Sequence, residues 1–200
     1  MIFVCSRKRR ASLGRFFTES QPTIGGRVLI DEDDGAYAGM SLPAGWEFFV
    51  RPRAPVSKII NRAYAAFPSE PFYAVVGDDV TCGPHGWDKV LADAAGPHSV
   101  SWGDDGRWGP SLCTTFFVGG DLVRRMGWLA HPAFGHLYVD RIWWGIATGA
   151  SIAKYHPEIS CRHVNVKDTT YRERSIGGDH QQFSAVMAGE MAALIQRASC

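Results

Sequence analysis

The sequence predicts one α/β domain, a central and mainly parallel sheet flanked by helices. Three observations carry this prediction. Apolar runs of strand length alternate with segments of helical periodicity. One run is apolar throughout, as a strand buried on both faces must be. Several runs stop abruptly at charged residues. Alternation of this kind places helices over the faces of a parallel sheet. A chain of 200 residues is long enough for one buried core and short for two, so residues 1–200 are expected to fold as a single domain.

The elements follow in order. Ile2-Phe3-Val4-Cys5 is the first expected strand, and Leu13, Phe16 and Phe17 then recur at helical spacing. Val28-Leu29-Ile30 is the second strand, ending at the acidic cluster Asp31-Glu32-Asp33-Asp34. The third covers 46–50 and ends at Arg51. Over 56–67, Val56, Ile59, Ile60, Ala63, Tyr64 and Phe67 share one helical face, and Pro68 stops the helix. Residues 72–76, Phe-Tyr-Ala-Val-Val, are the fully apolar strand, and it ends in Gly77-Asp78-Asp79. A helix near 87–94 and a strand near 99–102 come next. Residues 103–112, rich in Gly, Asp, Trp and Pro, read as a loop. Helices are expected near 119–128 and 137–148, and short strands at 152–155 and 159–164. A last helix spans about 179–197, with Phe183, Val186, Met187, Met191 and Leu194 on one face. No repeat, low-complexity tract or linker interrupts the chain.

Composition narrows the function classes. Apolar residues make up 46% and charged residues 20%, which is ordinary for a globular enzyme. The formal net charge of +1 demands neither a nucleic-acid nor a membrane partner, although Arg7-Lys8-Arg9-Arg10 is a local basic run. No apolar stretch approaches the roughly 20 residues of a membrane-spanning helix. The first five residues are too few for a signal-peptide core, so a cytoplasmic location is expected. The five cysteines are scattered without a C-x-x-C pair, and they are expected to be reduced and structural. No nucleotide-binding P-loop, G-x-G-x-x-G fingerprint or G-x-S-x-G elbow occurs, which argues against an ATPase, a Rossmann dehydrogenase and an α/β-hydrolase.

Ligands of open α/β sheets bind beyond the carboxyl ends of the strands. Those ends deliver Ser6 and Arg7, Asp31, Arg51, and Asp78 with Asp79. In parallel strands they converge, and the mixture of cations and carboxylates suits an anionic, metal-bridged ligand such as a nucleoside diphosphate. Two adjacent carboxylates at the end of a buried strand repel each other, a cost that a divalent cation relieves. The alternative is a helix cap or a turn. His163, in a β-like stretch, is either a second ligand or a structural histidine. His85, His98 and His131 read as loop residues. Asp140 lies among Leu137, Val139, Ile142, Trp143, Ile146 and Ala147. Burial without a partner would raise its pKa and suit a general base, with His136 one turn earlier on the same helical face. The alternative is an ion pair with Arg141, Arg124 or Arg125.

The order of these features resembles the GT-A glycosyltransferases, particularly short family-two-like members of phages and bacteria. The similarity runs from about residue 2 to residue 183. FYAVVGDDVTCGPHGW is similar to the strand that carries the DxD-type motif. CTTFFVGGDLVRRMGWLAHPAFGHLYVDRIWWGIA resembles the acceptor-side region, and RHVNVKDTTYRERS resembles the late histidine followed by Asp-x-x-Tyr. The resemblance implies a GT-A-like (Rossmann-like) fold, with a nucleotide-sugar half at about 1–100 and an acceptor half at about 101–200. It implies that Asp79 and His163 hold a divalent metal, Mn²⁺ or Mg²⁺. Ser6, Arg7, Asp31, Arg51, Lys58 and Asp78 would form the nucleotide pocket for a donor, a UDP-sugar foremost. Asp140 takes the position of the catalytic base of inverting members, and Asp168 and Tyr171 that of a loop closing over the donor. The motif here reads Asp-Asp-Val, with its acidic residues adjacent.

The acceptor is open at this point: a glycan, a protein, a small metabolite, or a hydroxymethylated pyrimidine in phage DNA. Trp102, Trp108, Trp143 and Trp144 are candidates to hold a flipped base or a sugar. A metal-dependent nucleotidyltransferase would share the carboxylates, although residues 6–10 lack its glycine-rich loop. A non-catalytic module that binds a nucleotide sugar or nucleic acid is the third reading.

Overall fold

The computed structural model describes residues 1–164 and 177–199. The chain runs β1 (Ile2–Cys5), α1 (Arg10–Arg15, continuing through a π-helical turn over Phe16–Ser20), β2 (Gly26–Asp31), β3 (Trp46–Arg51), α2 (Val56–Ala66), β4 (Phe72–Gly77), β5 (Val80–Gly83) and α3 (Trp87–Ala95). It continues with β6 (Val100–Asp104), β7 (Phe116–Gly119), α4 (Gly120–Met126), α5 (Val139–Gly149), β8 (Ala153–His163), α6 (Gly177–Gly189) and α7 (Met191–Ser199). Among the described residues the strands form one sheet in the order β3-β2-β1-β4-β7-β6-β8-β5. β3, β2, β1 and β4 are mutually parallel, as the alternation of strand and helix requires. β7 runs antiparallel between β4 and β6, β8 is parallel to β6, and β5 closes the far edge antiparallel to β8.

Strand alternation builds two cores, one on each face. Ile2 and Val4 of β1 pack with Leu13, Phe16, Trp87 and Leu91 beneath α1 and α3. Phe3 points to the other face, to Ile60, Leu122, Ile142 and Trp143 beneath α2, α4 and α5. Ile2, Phe3 and Val4 are fully buried, so β1 has the two-sided burial of a central parallel strand. Trp87, also fully buried, donates its indole N–H to the Ser20 carbonyl at 2.7 Å.

The Gly119-Gly120 pair has a packing reason. A Cβ on Gly120 would lie 2.0 Å from the Glu70 carbonyl oxygen, and one on Gly119 would lie 2.2 Å from the Pro97 carbonyl carbon. Only glycine lets the end of β7 approach the loop before β6, and the start of α4 the loop before β4, so closely.

Four expectations are corrected. The segments 152–155 and 159–164 are one strand, β8, whose register against β6 slips between His156 and Ser160, so Pro157 needs no ladder hydrogen bond there. The last helix is two helices broken at Glu190, and Met187 is exposed while Val186, Met191 and Leu194 are buried. The basic run is not a free patch, because Arg7 and Arg9 turn inward onto carboxylates. Cys82 and Cys161 are not reduced: they stand opposite each other across β5 and β8 and form a disulfide. Only the folded ladder brings these two residues together, so their distance in sequence hid the pairing.

Candidate active site

The carboxyl ends of β1, β2 and β4 open into a cleft of about 750 Å³, walled on the far side by the loop after β6 and by the start of α5. Ser6, Arg7, Asp31, Asp79, Asp140 and His163 all line it, although they come from five separate stretches of chain. Asp78 lies just beneath the lining, 1% exposed. Arg51 and Lys58 are not brought in. Arg51 sits at the end of edge strand β3 with its guanidinium carbon 3.8 Å from the Phe49 ring centre, and Lys58 is on the exposed face of α2. Asp168 and Tyr171 lie outside the described residues.

On the β1 side, a relay of donors fixes Asp78. The Arg9 backbone N–H donates to the Tyr37 hydroxyl at 3.2 Å, and Tyr37 and Ser6 share a hydrogen bond of 2.5 Å. Ser6 gives its single proton to Asp78 Oδ2, so Tyr37 must be the donor to Ser6. Burial pushes the Asp78 carboxyl up to about 6, against the opposing pull of the Arg9 charge. The Arg9 guanidinium lies 2.5 Å from Asp78 Oδ1 and 3.2 Å from Asp79 Oδ2. Lys8, in the left-handed region at φ +54°, separates Arg9 from Arg7 in the loop. Arg7 pairs with Asp31 and, at 3.0 Å, with Asp33. Asp31 is 4% exposed, and its Oδ1 has no hydrogen-bond partner among the described residues.

Asp79 and His163 meet because β5 pairs with β8. Val80 stands opposite His163 in the ladder, and the Val164 N–H donates to the Asp79 carbonyl at 2.8 Å. His163 Nδ1 is 3.7 Å from Asp79 Oδ1. Gly77 leaves room for this carboxylate, since a Cβ there would lie 2.5 Å from Asp79 Oδ1. Burial raises the Asp79 pKa, but the His163 hydrogen bond and the Arg9 charge outweigh it and hold the group below its ordinary value. His163 is raised, first by its bond to Asp79. The Asp79 carboxylate and the His163 imidazole both line the cleft, and oxygen and nitrogen donors of this kind fit a divalent cation that takes its remaining ligands from substrate phosphates and water. Among the described residues no cluster of three or more His, Cys, Asp and Glu side chains gathers to hold a metal by itself.

Opposite them stands Asp140, in the first turn of α5. Burial raises its pKa, against the opposing pull of the Arg141 N–H and charge, and no salt bridge to an arginine forms among the described residues. Arg124 pairs with Asp121, Arg125 donates to the Ala198 carbonyl at 3.2 Å, and the Arg141 guanidinium lies over Trp108. The Arg141 N–H donates to Asp140 Oδ1 at 2.8 Å. His136 is not on the helix: α5 begins at Val139, after Tyr138 at φ +69°. That turn is held from α6, where Asp179 accepts N–H bonds from Gly135, His136 and Leu137, each at 2.8 Å. Tyr138 stacks on Phe183 with ring centres 4.3 Å apart.

Arg9, Tyr37, Asp105 and Asp179 belong to this neighbourhood and were not singled out for it from sequence. Arg9 was visible only as part of a basic run, and Asp179 carries no local signal at all. Of the four tryptophans considered for the acceptor, Trp102 and Trp143 are core residues, 1% and 0% exposed. Trp144 donates to the Pro110 carbonyl at 2.9 Å, and Trp108 alone of the four lines the cleft.

No family model and no curated protein sequence matches the chain. Among solved structures it is similar to a mannosyltransferase from Pyrobaculum calidifontis in complex with GDP-Man and Mn²⁺. The TM-score is 0.66 at 11% identity, over 99% of this chain and 72% of that one. It is also similar to a nucleotidyl transferase from Methanothermobacter thermautotroptrophicus, with a TM-score of 0.53 at 12% identity over 82% of this chain and 87% of that one. At such identities the likeness is one of fold, and together with the strand order it makes this chain a single α/β domain of GT-A-like fold.

Proposed function

We propose that this chain is a metal-dependent, inverting glycosyltransferase that moves a sugar from a nucleotide-sugar donor to an acceptor hydroxyl. The observation that carries the reading is the meeting of Asp79 and His163 in the cleft that also holds Asp31 and Asp140. A relative of similar fold was solved with GDP-Man and Mn²⁺, which supports a nucleotide sugar and a divalent ion as ligands. UDP-sugars remain the first donors to test.

Asp79 and His163 would hold Mn²⁺ or Mg²⁺, which when bound acts as a Lewis acid toward the charge developing on the diphosphate. The buried Asp31 Oδ1 offers an acceptor to a nucleobase or ribose donor group, and Arg7 fixes its carboxylate by gripping Oδ2. The Asp78–Arg9 pair keeps a guanidinium at the floor of the cleft, where a diphosphate would be neutralised. Asp140 Oδ1 is held by the Arg141 N–H, which leaves Oδ2 to take the proton of the acceptor hydroxyl. As that proton leaves, the acceptor oxygen bonds the anomeric carbon and the bond to the diphosphate oxygen breaks on the opposite side. Configuration is thereby inverted, and a raised pKa makes Asp140 a better base than an ordinary aspartate.

The similarity of fold to a nucleotidyl transferase makes product identity the deciding test. With nucleotide sugars and Mn²⁺ the reading expects nucleoside diphosphate release, lost in Asp79→Ala. Pyrophosphate released from a nucleoside triphosphate and a sugar phosphate, with no diphosphate release from any nucleotide sugar, would assign the cleft to nucleotidyl transfer instead.

A further inference from the structure

Beyond the donor, the acceptor wall of the cleft has a charge pattern of its own. Trp108, 39% exposed, projects from the loop after β6. The Arg107 guanidinium carbon lies 5.1 Å from its ring centre and that of Arg141 lies 5.6 Å from it. Arg162 adds a third guanidinium beside the same loop, against Gly106. Among the described residues, no carboxylate lies within salt-bridge distance of any of the three.

The two acids of the loop itself, Asp104 and Asp105, are engaged. Asp105 turns onto backbone N–H groups, accepting from Arg107 at 2.9 Å, Trp108 at 2.7 Å and Gly109 at 3.2 Å. Asp104 accepts from the Tyr155 hydroxyl and the Gly106 N–H, both at 3.2 Å. The loop is also pinned to rigid elements. Trp102 Nε1 donates to the Gly109 carbonyl at 3.0 Å, and Trp144 Nε1 of α5 donates to the Pro110 carbonyl at 2.9 Å. Cys113 Sγ lies 3.1 Å from the Asp140 carbonyl, which ties the end of the loop to the backbone of the proposed base.

An exposed indole flanked by guanidinium groups that make no salt bridge among the described residues recognises a ring that carries negative charge. The ring stacks on the indole, and the fork of arginine N–H donors matches phosphate oxygens. We therefore infer that the acceptor is a phosphate-bearing ring compound, seated on Trp108 with its phosphate between Arg107 and Arg141 and its hydroxyl toward Asp140. This inference rests on the glycosyltransferase reading. A sugar phosphate and a nucleotide within a single strand share this chemistry, and binding measurements separate them.

The test is isothermal titration with the diphosphate site already filled by Mn²⁺ and the nucleoside diphosphate that the protein binds, so that phosphate probes cannot report on the donor site. The probes are glucose 6-phosphate, a short oligothymidylate, and uncharged methyl glucoside. At least one phosphate probe should bind about tenfold or more tightly than the methyl glucoside, as one charge-assisted contact requires. Arg107→Gln with Arg141→Gln should abolish that preference, and whichever phosphate probe binds identifies the source. Each single variant is measured beside the pair, with its unfolding midpoint, to separate lost contacts from lost fold. Equal binding of all three probes, or a preference that survives the double substitution, overturns the inference. Failure to bind any nucleoside diphosphate removes the glycosyltransferase reading and this inference with it, whereas diphosphate binding without phosphate preference removes this inference alone.

Discussion

Replacing Asp179 with asparagine tests whether α6 holds the turn that presents Asp140. In the native protein Oδ1 accepts the Gly135 N–H, and Oδ2 accepts those of His136 and Leu137, all at 2.8 Å. The residue is 6% exposed, so water does not replace a lost acceptor. Hydrogen bonds to a charged group contribute roughly 1.5–3 kcal/mol each, and they do not add independently. Asparagine keeps one oxygen and turns an amide N–H₂ toward the remaining donors. One or two bonds are lost and the rest weakened, for a cost of about 3 kcal/mol. In a protein of this size that is a fall of about 6–12 °C in unfolding midpoint.

The pH dependence has a definite sign. Burial raises the Asp179 pKa, but the three N–H donors outweigh it and leave the folded value lowered. Its stabilisation is therefore present above the unfolded aspartate value of about 3.9 and is lost as pH falls through the lower folded value. Thermal unfolding of wild type and Asp179→Asn, at neutral pH and then in steps below about pH 4, should show a gap that closes in acid. A neutral-pH gap under about 1 °C, where ~3 kcal/mol is expected, or a gap that widens in acid, would show that the Asp179 carboxylate does not hold the turn.

Three further outcomes are expected. Asp140→Asn should lower transfer by about 10²–10⁴-fold while leaving the donor-induced shift in unfolding midpoint. In the wild type the acid limb of transfer should sit above the ordinary aspartate value, because the folded pKa is raised; a pH–rate profile for transfer checks both. Trp87→Phe should cost about 1–3 kcal/mol in chemical denaturation, since it leaves the buried Ser20 carbonyl without the indole donor.

The parallel half of the fold was legible because each of its strands is a local apolar run that ends at charge. β1, β2, β3 and β4 needed no distant information, and their ends led directly to Ser6, Arg7, Asp31 and Asp79. β5 and β7 were not legible as strands. β5 is a four-residue strand directly after the Asp-Asp turn, and β7 runs straight into the glycine pair that starts α4. β5 matters most for the site, because its ladder with β8 brings His163 to Asp79 and Cys161 to Cys82. Arg51 shows the opposite limit: being at a strand's carboxyl end is not enough when the strand is at the sheet edge. Asp179 was invisible because its partners are backbone N–H groups of a distant turn, which leave no trace in side-chain pattern.

The central claim is that Asp79 and His163 present a divalent ion to a nucleotide sugar. Its most direct measurement is the unfolding midpoint of wild type and Asp79→Ala with UDP-, GDP-, CMP- and dTDP-sugars, each with Mn²⁺ and with EDTA. A donor at about a hundredfold its dissociation constant adds roughly 2.7 kcal/mol. The account predicts that one donor raises the wild-type midpoint with Mn²⁺, that EDTA removes the rise, and that Asp79→Ala lacks it in both. A rise that persists undiminished in EDTA or in Asp79→Ala, or no rise with any donor, would contradict the account.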